Sequence, residues 1–288
     1  MTVAVLGPGA VGGVLTVGFV EAGVDVVCVA RPDTAKVLTS EGLSLRQGER
    51  VRTARPEVIT ELREPVDLLL VTVKAPSLDD AIARVQAPVR LVVPLLNGIE
   101  HMERLARAFP YVVGASIGRI EAYLERPGVV IQLTPSVVMT VASGGPVELL
   151  RRSGVDVREN GSAKEVLWEK LARQAPTAAA TSITQRAIGE LRSDPEWGPR
   201  LRTAIDETCA IAAADGVTLS AQAEWEIIEA MPPRLTSSTA RDVAAGRPSE
   251  LDAITGAAVR AGRRLGVATP ALERLLVEAE DACRARLR

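Results

Sequence analysis

Histidine occurs once in the 288 residues, as His101. A multi-histidine metal site is therefore excluded. Cysteine is almost as scarce: Cys28, Cys209 and Cys283 are odd in number, widely spaced and free of any CxxC. That pattern argues against a disulfide framework and against a thiolate zinc site. Aromatic residues make up only 2% of the chain, so its core must be built from Val, Leu, Ile and Ala. No apolar run approaches the roughly eighteen residues that suggest a membrane helix. Lys plus Arg number 34 against 36 Asp plus Glu, so there is no basic excess of the kind that marks a nucleic-acid binder. The opening residues, Met1 to Leu6, have neither the basic flank nor the long apolar core of a secretory signal. These absences predict a cytoplasmic protein that engages neither nucleic acid nor membrane.

What is present supports a packed α/β fold. The hydrophobic fraction is 47% and the charged fraction 24%. Thr2 to Leu6 is a short apolar run broken at Gly7, followed by a helix-like segment over 10–22 and a second β-rich run from Val24 to Val29. This is a βαβ unit starting at residue 2. Leu68 to Val73 and Leu91 to Leu96 are continuous apolar runs of the kind that parallel strands covered on both faces require. Ser77 to Val85 suits a crossover helix between them. Strands are predicted over 129–133, 137–141 and 155–158. Beyond about residue 162 the strand signals fade, and helical spacing takes over in 162–187, 195–214, 220–231, 251–265 and 270–287. The expectation is a Rossmann-type domain over 1–163 and an all-helical domain over 164–288.

The strongest local signal is Gly7-Pro8-Gly9-Ala10-Val11-Gly12, a GxGxxG between the first strand and the first helix. The first glycine permits a tight turn, the second lets the backbone approach a pyrophosphate, and the third allows close helix–strand packing. Free amides at the helix start can hold phosphate oxygens. The second strand ends in Val29-Ala30-Arg31, where an NAD site would normally place Asp or Glu for the ribose hydroxyls. A guanidinium suits a 2′-phosphate, so the cofactor expected is NADP; the plainer reading of Arg31 is a solvated surface charge. Lys74 and Asn97 follow later apolar runs, where an open parallel sheet binds its ligands, although either position is equally compatible with ordinary loop chemistry.

The opening motif, Lys74, Asn97-Gly98, Trp168-Glu169-Lys170-Leu171, Ser237-Ser238 and Glu250-Leu251-Asp252 occur in an order that resembles the ketopantoate reductase (2-dehydropantoate 2-reductase) family over almost the whole length. The resemblance implies a helical C-terminal domain like that of 6-phosphogluconate dehydrogenase, serving substrate binding and dimerisation. It also implies NADPH-dependent reduction of ketopantoate to pantoate, in pantothenate biosynthesis. Carried over by motif, Lys170 and Glu250 are the catalytic pair. Arg31, Lys74 and Asn97 join the glycine turn on the cofactor side. Asn97, Lys170, Gln174, Ser238 and Glu250 face the substrate, and a homodimer is a possible assembly. Read locally, Glu250 also suits an ordinary helix start, and Ser238 a helix cap.

The chain departs from the family pattern after Lys170. Two asparagines that normally line the substrate side are replaced by Gln174 and Ala178, and Pro176 interrupts the helical segment. This leaves room for a divergent reductase acting on another ketone or an imine. A non-catalytic NADP-binding sensor or scaffold is the third reading, which retention of both Lys170 and Glu250 opposes. His101 reads as a surface or capping residue at a helix start, Trp168 as core packing. Thr181, Ser182 and Thr184 are either polar contacts or solvent-facing.

Overall fold

The computed structural model describes residues 1–286. They divide into two compact units, one of Met1–Leu96 with His101–Val166, the other of Asn97–Glu100 with the described residues from Leu167 onward. The first is α/β and Rossmann-type; the second is helical.

In the first unit the strands are β1 (Thr2–Leu6), β2 (Asp25–Val29), β3 (Leu43–Gln47), β4 (Arg50–Ala54), β5 (Glu57–Ile59), β6 (Leu68–Val71), β7 (Val92–Pro94), β8 (Ala115–Gly118), β9 (Ala122–Arg126), β10 (Val129–Gln132), β11 (Val138–Val141) and β12 (Asp156–Glu159). The helices are α1 (Ala10–Glu21), α2 (Pro32–Glu41), α3 (Leu78–Ile82), α4 (His101–Ala108) and α5 (Val147–Arg151). A five-stranded parallel sheet runs in the order β5-β2-β1-β6-β7. The chain leaves β1 to one side for β2 and later returns on the other side for β6. The switch point therefore lies at β1, where such sheets open a crevice beyond the strand ends.

The continuous apolar runs have a simple cause. Val3 and Val5 enter one core cluster while Ala4 and Leu6 enter another; Leu68 and Leu70 part from Leu69 and Val71 in the same way. With both faces of the sheet covered, neither set of alternating positions can be polar. Two further sheets, β4-β3-β10-β9 and β12-β11-β8, complete the unit. The strand predicted over 129–133 and that over 137–141 belong to different sheets.

The helical unit contains most of α6 (Ala163–Thr184), then α7 (Ile188–Arg192), α8 (Trp197–Ala214), α9 (Ala221–Ala230), α10 (Ser238–Ala244), α11 (Ala257–Leu265) and α12 (Pro270–Arg286). A π-helical segment, Asp252–Gly256, leads into α11 where a regular helix was expected. Pro176 lies inside α6, which nevertheless continues to Thr184. Proline supplies no backbone donor. Here the Thr177 hydroxyl donates to the Arg173 carbonyl at 2.7 Å, and Thr255 of the π segment donates to the Ala175 carbonyl at 2.8 Å. Side chains thus donate to carbonyls near Pro176 within the continuous helix. Trp168 is in the core, with its indole N–H donated to Asp215 at 2.9 Å. His101, expected as a surface or capping residue at a helix start, is the first residue of α4 but is buried, and Thr181 and Ser182 are buried too. Among the described residues, no helix is long and apolar enough to cross a membrane.

Candidate active site

The glycine turn joins β1 to α1. Gly7 has φ +85°, and a Cβ there would meet Val73 Cγ1 at 2.4 Å. A Cβ on Gly12 would meet Thr72 Oγ1 at 2.5 Å and the Gly7 carbonyl at 2.7 Å. Both glycines are therefore required by the protein's own packing. Gly9 differs: its nearest such contact is the Gly7 carbonyl at 3.8 Å. No neighbouring atom crowds a Cβ at Gly9, although its φ −82° and ψ −150° suit glycine, and its bare backbone is open to a ligand. Thr72 anchors the turn by donating its hydroxyl to the Gly7 carbonyl at 2.7 Å. In the sequence Thr72 falls within an apolar run; its position beside the motif becomes visible only when β1 and β6 pair.

Pro8 leads into Gly9, the N-cap residue, and Ala10 and Val11 open the helix. No side chain caps α1 and no acidic residue occupies its first turn. Its first amides keep their donors, and no carboxylate in its own first turn offsets the positive end of the helix dipole. The donor set and the open Gly9 fit a dinucleotide pyrophosphate. Arg31 is exposed at the N-cap position of α2, just beyond β2, and Lys74 is exposed at the N-cap position of the one-turn helix after β6.

In the helical unit, Lys170 and Gln174 stand one turn apart on α6 and face the same way. Both meet Asn97. The Lys170 ammonium donates to Asn97 Oδ1 at 2.9 Å, and Gln174 Nε2 donates to the same oxygen at 3.0 Å. Asn97 Nδ2 donates in turn to Glu250 Oε2 at 3.0 Å. Glu250 is buried and immediately precedes the helical run that contains the π segment. Four candidates from three distant stretches of the sequence are thus joined in one network.

The sense of these hydrogen bonds follows from chemistry. An ionised carboxylate only accepts and an ammonium only donates. Asn97 must therefore turn its amide nitrogen to Glu250 and its oxygen to Lys170. Gln174 must then use its nitrogen on Asn97, which leaves Gln174 Oε1 pointing elsewhere. That oxygen is buried and has no partner among the described residues. Burial lowers the pKa of Lys170 from its ordinary 10.5 to about 8; the nearby Glu250 charge pulls it upward and the Arg173 charge pushes it further down. Arg173 is itself paired with the buried Glu224 of α9. An ammonium with a pKa near 8, held beside a carboxylate, can give a proton to an oxygen that gains negative charge.

Ser238 is not part of this network. It is exposed in the first turn of α10, and the cap is its neighbour Ser237, whose hydroxyl accepts from the Ala240 amide at 2.9 Å and lies 2.8 Å from Thr181 Oγ1. Ala178, one turn beyond Gln174, is buried.

Comparison with known proteins agrees with this architecture. The profile described as ketopantoate reductase PanE/ApbA matches residues 3–144, and that of its C-terminal domain matches residues 162–280. The 2-dehydropantoate 2-reductase of Pyrobaculum aerophilum is 31% identical, with 97% of this chain and 98% of that protein covered. The crystal structure of a PanE/ApbA family ketopantoate reductase from Ralstonia eutropha JMP134 is 28% identical, covers 100% of both chains and superposes with a TM-score of 0.88. A ternary structure of D-mandelate dehydrogenase with NADH and anilino(oxo)acetate has a TM-score of 0.90 with 99% of each chain covered; at 20% identity this is a likeness of fold. The chain belongs to the ketopantoate reductase family and is a 2-dehydropantoate 2-reductase-like oxidoreductase.

Proposed function

We propose that this protein reduces a 2-oxo acid to a 2-hydroxy acid with NADPH, ketopantoate being the first candidate substrate. The observation that carries the reading is the Lys170–Asn97–Glu250 network, with an ammonium whose pKa of about 8 suits proton donation near neutrality. A bound reduced nicotinamide supplies hydride to the carbonyl carbon. Lys170 polarises the carbonyl oxygen and passes it a proton as negative charge builds there. Asn97 orients the ammonium, and Glu250 accepts from the Asn97 amide and balances the lysine charge. Ser238 is assigned to the substrate carboxylate on the resemblance alone.

Gly7, Pro8, Gly9, Ala10, Val11 and Gly12 hold the pyrophosphate in this reading, with Lys74 and Asn97 on the cofactor side. Arg31 selects NADPH over NADH. Replacing Arg31 by Ala should remove charge-assisted hydrogen bonds worth about 1.5–3 kcal/mol, a loss of roughly one to two decades in NADPH affinity. NADH affinity should change little. Titration of each nucleotide into wild type and R31A checks this; equal losses for both would end the 2′-phosphate assignment.

A second reading has its own observation. Gln174 Oε1 is a buried acceptor left over once Asn97 is served. A substrate that brings a hydroxyl or N–H donor to this oxygen is favoured over one that does not, and an unmet partner costs about 1–3 kcal/mol. Ketopantoate carries a hydroxyl; a protonated imine carries an N–H. Steady-state nicotinamide oxidation with ketopantoate, plain 2-oxo acids and cyclic imines separates the two. Ketopantoate turnover well above the plain acids supports the proposal. Turnover confined to imines moves the function to imine reduction. Q174L should lower kcat/KM by about tenfold to a hundredfold for donor-bearing substrates, while plain 2-oxo acids should lose much less.

A further inference from the structure

Asn97 occupies its place through the segment Asn97–Glu100, which follows β7 and packs with the helical unit. Three features hold this four-residue strap. Gly98 has φ +80° and lies so close to the π segment that a Cβ would sit 1.9 Å from the Ala253 carbonyl oxygen. Ile99 packs against the helical core. Glu100 is gripped by Arg260 of α11, with Nε to Oε1 at 2.8 Å and Nη2 to Oε2 at 2.8 Å.

The grip is bidentate, and its donor is itself held. Arg260 Nη1 donates to Asp252 Oδ1 at 2.6 Å, and Nη2 to the Asp252 carbonyl at 3.0 Å. Asp252 opens the π segment, two residues after Glu250. Gly256 lies between the two partners; a Cβ there would come within 2.8 Å of Asp252 Oδ1 and 3.1 Å of Arg260 Nη1. A bare backbone at 256 thus clears the path by which Arg260 reaches back two turns. One guanidinium ties the strap carrying Asn97 to the segment that follows Glu250. Single-turn π segments occur often at functional sites.

We propose that Arg260 is a positioning residue for the reaction, acting through Glu100 and Asp252 to keep Asn97 in register between Lys170 and Glu250. The inference rests on the functional reading above for its kinetic consequence, but not for its structural one. Arg260 and Glu100 are each about two-fifths exposed, 40% and 39%. Such a pair adds little to global stability. Its effect falls on geometry, where a displacement of about 1 Å far from the reacting atoms can lower a rate about a hundredfold. Lysine cannot replace it, since a point charge grips one oxygen where the planar fork grips two.

The test uses the full-length protein as R260Q, R260K, E100Q and the double variant R260Q/E100Q. In R260Q, kcat should fall about tenfold to a hundredfold. Nicotinamide-cofactor affinity should stay within about twofold, because its assigned contacts other than Asn97 lie outside this clamp. R260K should recover only part of the loss. The double variant should be no worse than R260Q, since both remove one interaction. Amide hydrogen exchange of the 250–256 peptide, where the Ile254 amide donates to the Glu250 carbonyl at 3.0 Å, should quicken about tenfold in R260Q, while peptides of α8 stay protected. This last readout needs no turnover. Unchanged exchange overturns the proposal whatever the substrate is, as does a kcat within twofold of wild type. Quickened exchange in a protein that reduces none of the carbonyl or imine substrates would uphold the strap and reject the functional reading instead.

Discussion

Replacing Lys170 by Ala should lower kcat by about two to four decades, the usual worth of a positioned acid, and leave NADPH affinity close to wild type. The separation follows from where the candidates sit. Apart from Asn97, every residue assigned to the cofactor belongs to the α/β unit, whereas Lys170 belongs to the helical one. Stability should fall only in part, because the buried Glu250 loses the charge that balances it while two other features offset this. The substitution removes an ammonium that burial already disfavours, and Gln174 still serves Asn97 Oδ1. K170M, which keeps a long apolar stem, should behave like K170A. A variant retaining more than about a tenth of wild-type kcat would remove Lys170 from the chemistry.

The pH profile gives the same prediction a sign. Carbonyl reduction needs the protonated lysine, so kcat should hold through neutrality and fall as pH rises through about 8. Oxidation of the 2-hydroxy acid needs the neutral amine, so the reverse rate should climb through the same pH. Glu250 and Arg173 are the charged groups acting on this titration, in opposite directions. The stability linkage has its own direction. The folded pKa lies below the ordinary 10.5, so between about 8 and 10.5 the unfolded chain binds more protons at this residue. The contribution of Lys170 to stability therefore rises with pH in that window, and K170M should abolish the rise.

Much of this arrangement was legible because it depends on local backbone demands. A turn that needs positive φ, a strand buried on both faces and a helix with an apolar stripe leave marks within a few residues, and Gly7, the 2–6 and 68–71 runs and the long C-terminal helices carried them. The strand pair 43–47 and 50–54 carried none: Arg46, Arg50 and Arg52 are side chains of a half-exposed sheet, with no continuous apolar run to read. His101 misled for a related reason. A polar residue at a helix start reads as a cap, and only the chain packed around it makes it buried. The resemblance supplied Asn97, Lys170 and Glu250 singly. Their joining is tertiary, as is the Glu100–Arg260 clamp, whose partners are 160 residues apart. Gln174 shows the limit most clearly. Its amide was visible as a substitution, but that its nitrogen is committed and its oxygen left over follows only from Glu250 fixing Asn97, and Asn97 fixing Gln174.

The glycines of the first turn separate folding from binding, and two alanine variants should separate them by experiment. G12A places a methyl group 2.5 Å from the Thr72 hydroxyl oxygen, 2.7 Å from the Gly7 carbonyl and 3.1 Å from Val5 Cγ1. Such overpacking costs about 1–3 kcal/mol and forces α1 away from β1, so G12A should lose both thermal stability and NADPH binding. G9A meets nothing nearer than 3.8 Å, although φ −82° with ψ −150° is a backbone pair that suits glycine better than alanine. Its stability loss should stay below that of G12A, at about 1 kcal/mol from the less favoured backbone pair and a poorer N-cap, because no atom crowds the methyl group. Its methyl group nevertheless stands where a pyrophosphate must approach the amides of α1, and losing two charge-assisted hydrogen bonds at about 1.5–3 kcal/mol each should weaken NADPH by about a hundredfold or more. Calorimetric melting alongside nucleotide titration resolves the pair. If G9A binds NADPH as wild type does, the backbone at Gly9 faces no phosphate, and the dinucleotide is held elsewhere than at the start of α1. If G9A melts as early as G12A, the turn is tighter than its geometry implies, and the loss of binding would be a consequence of folding alone.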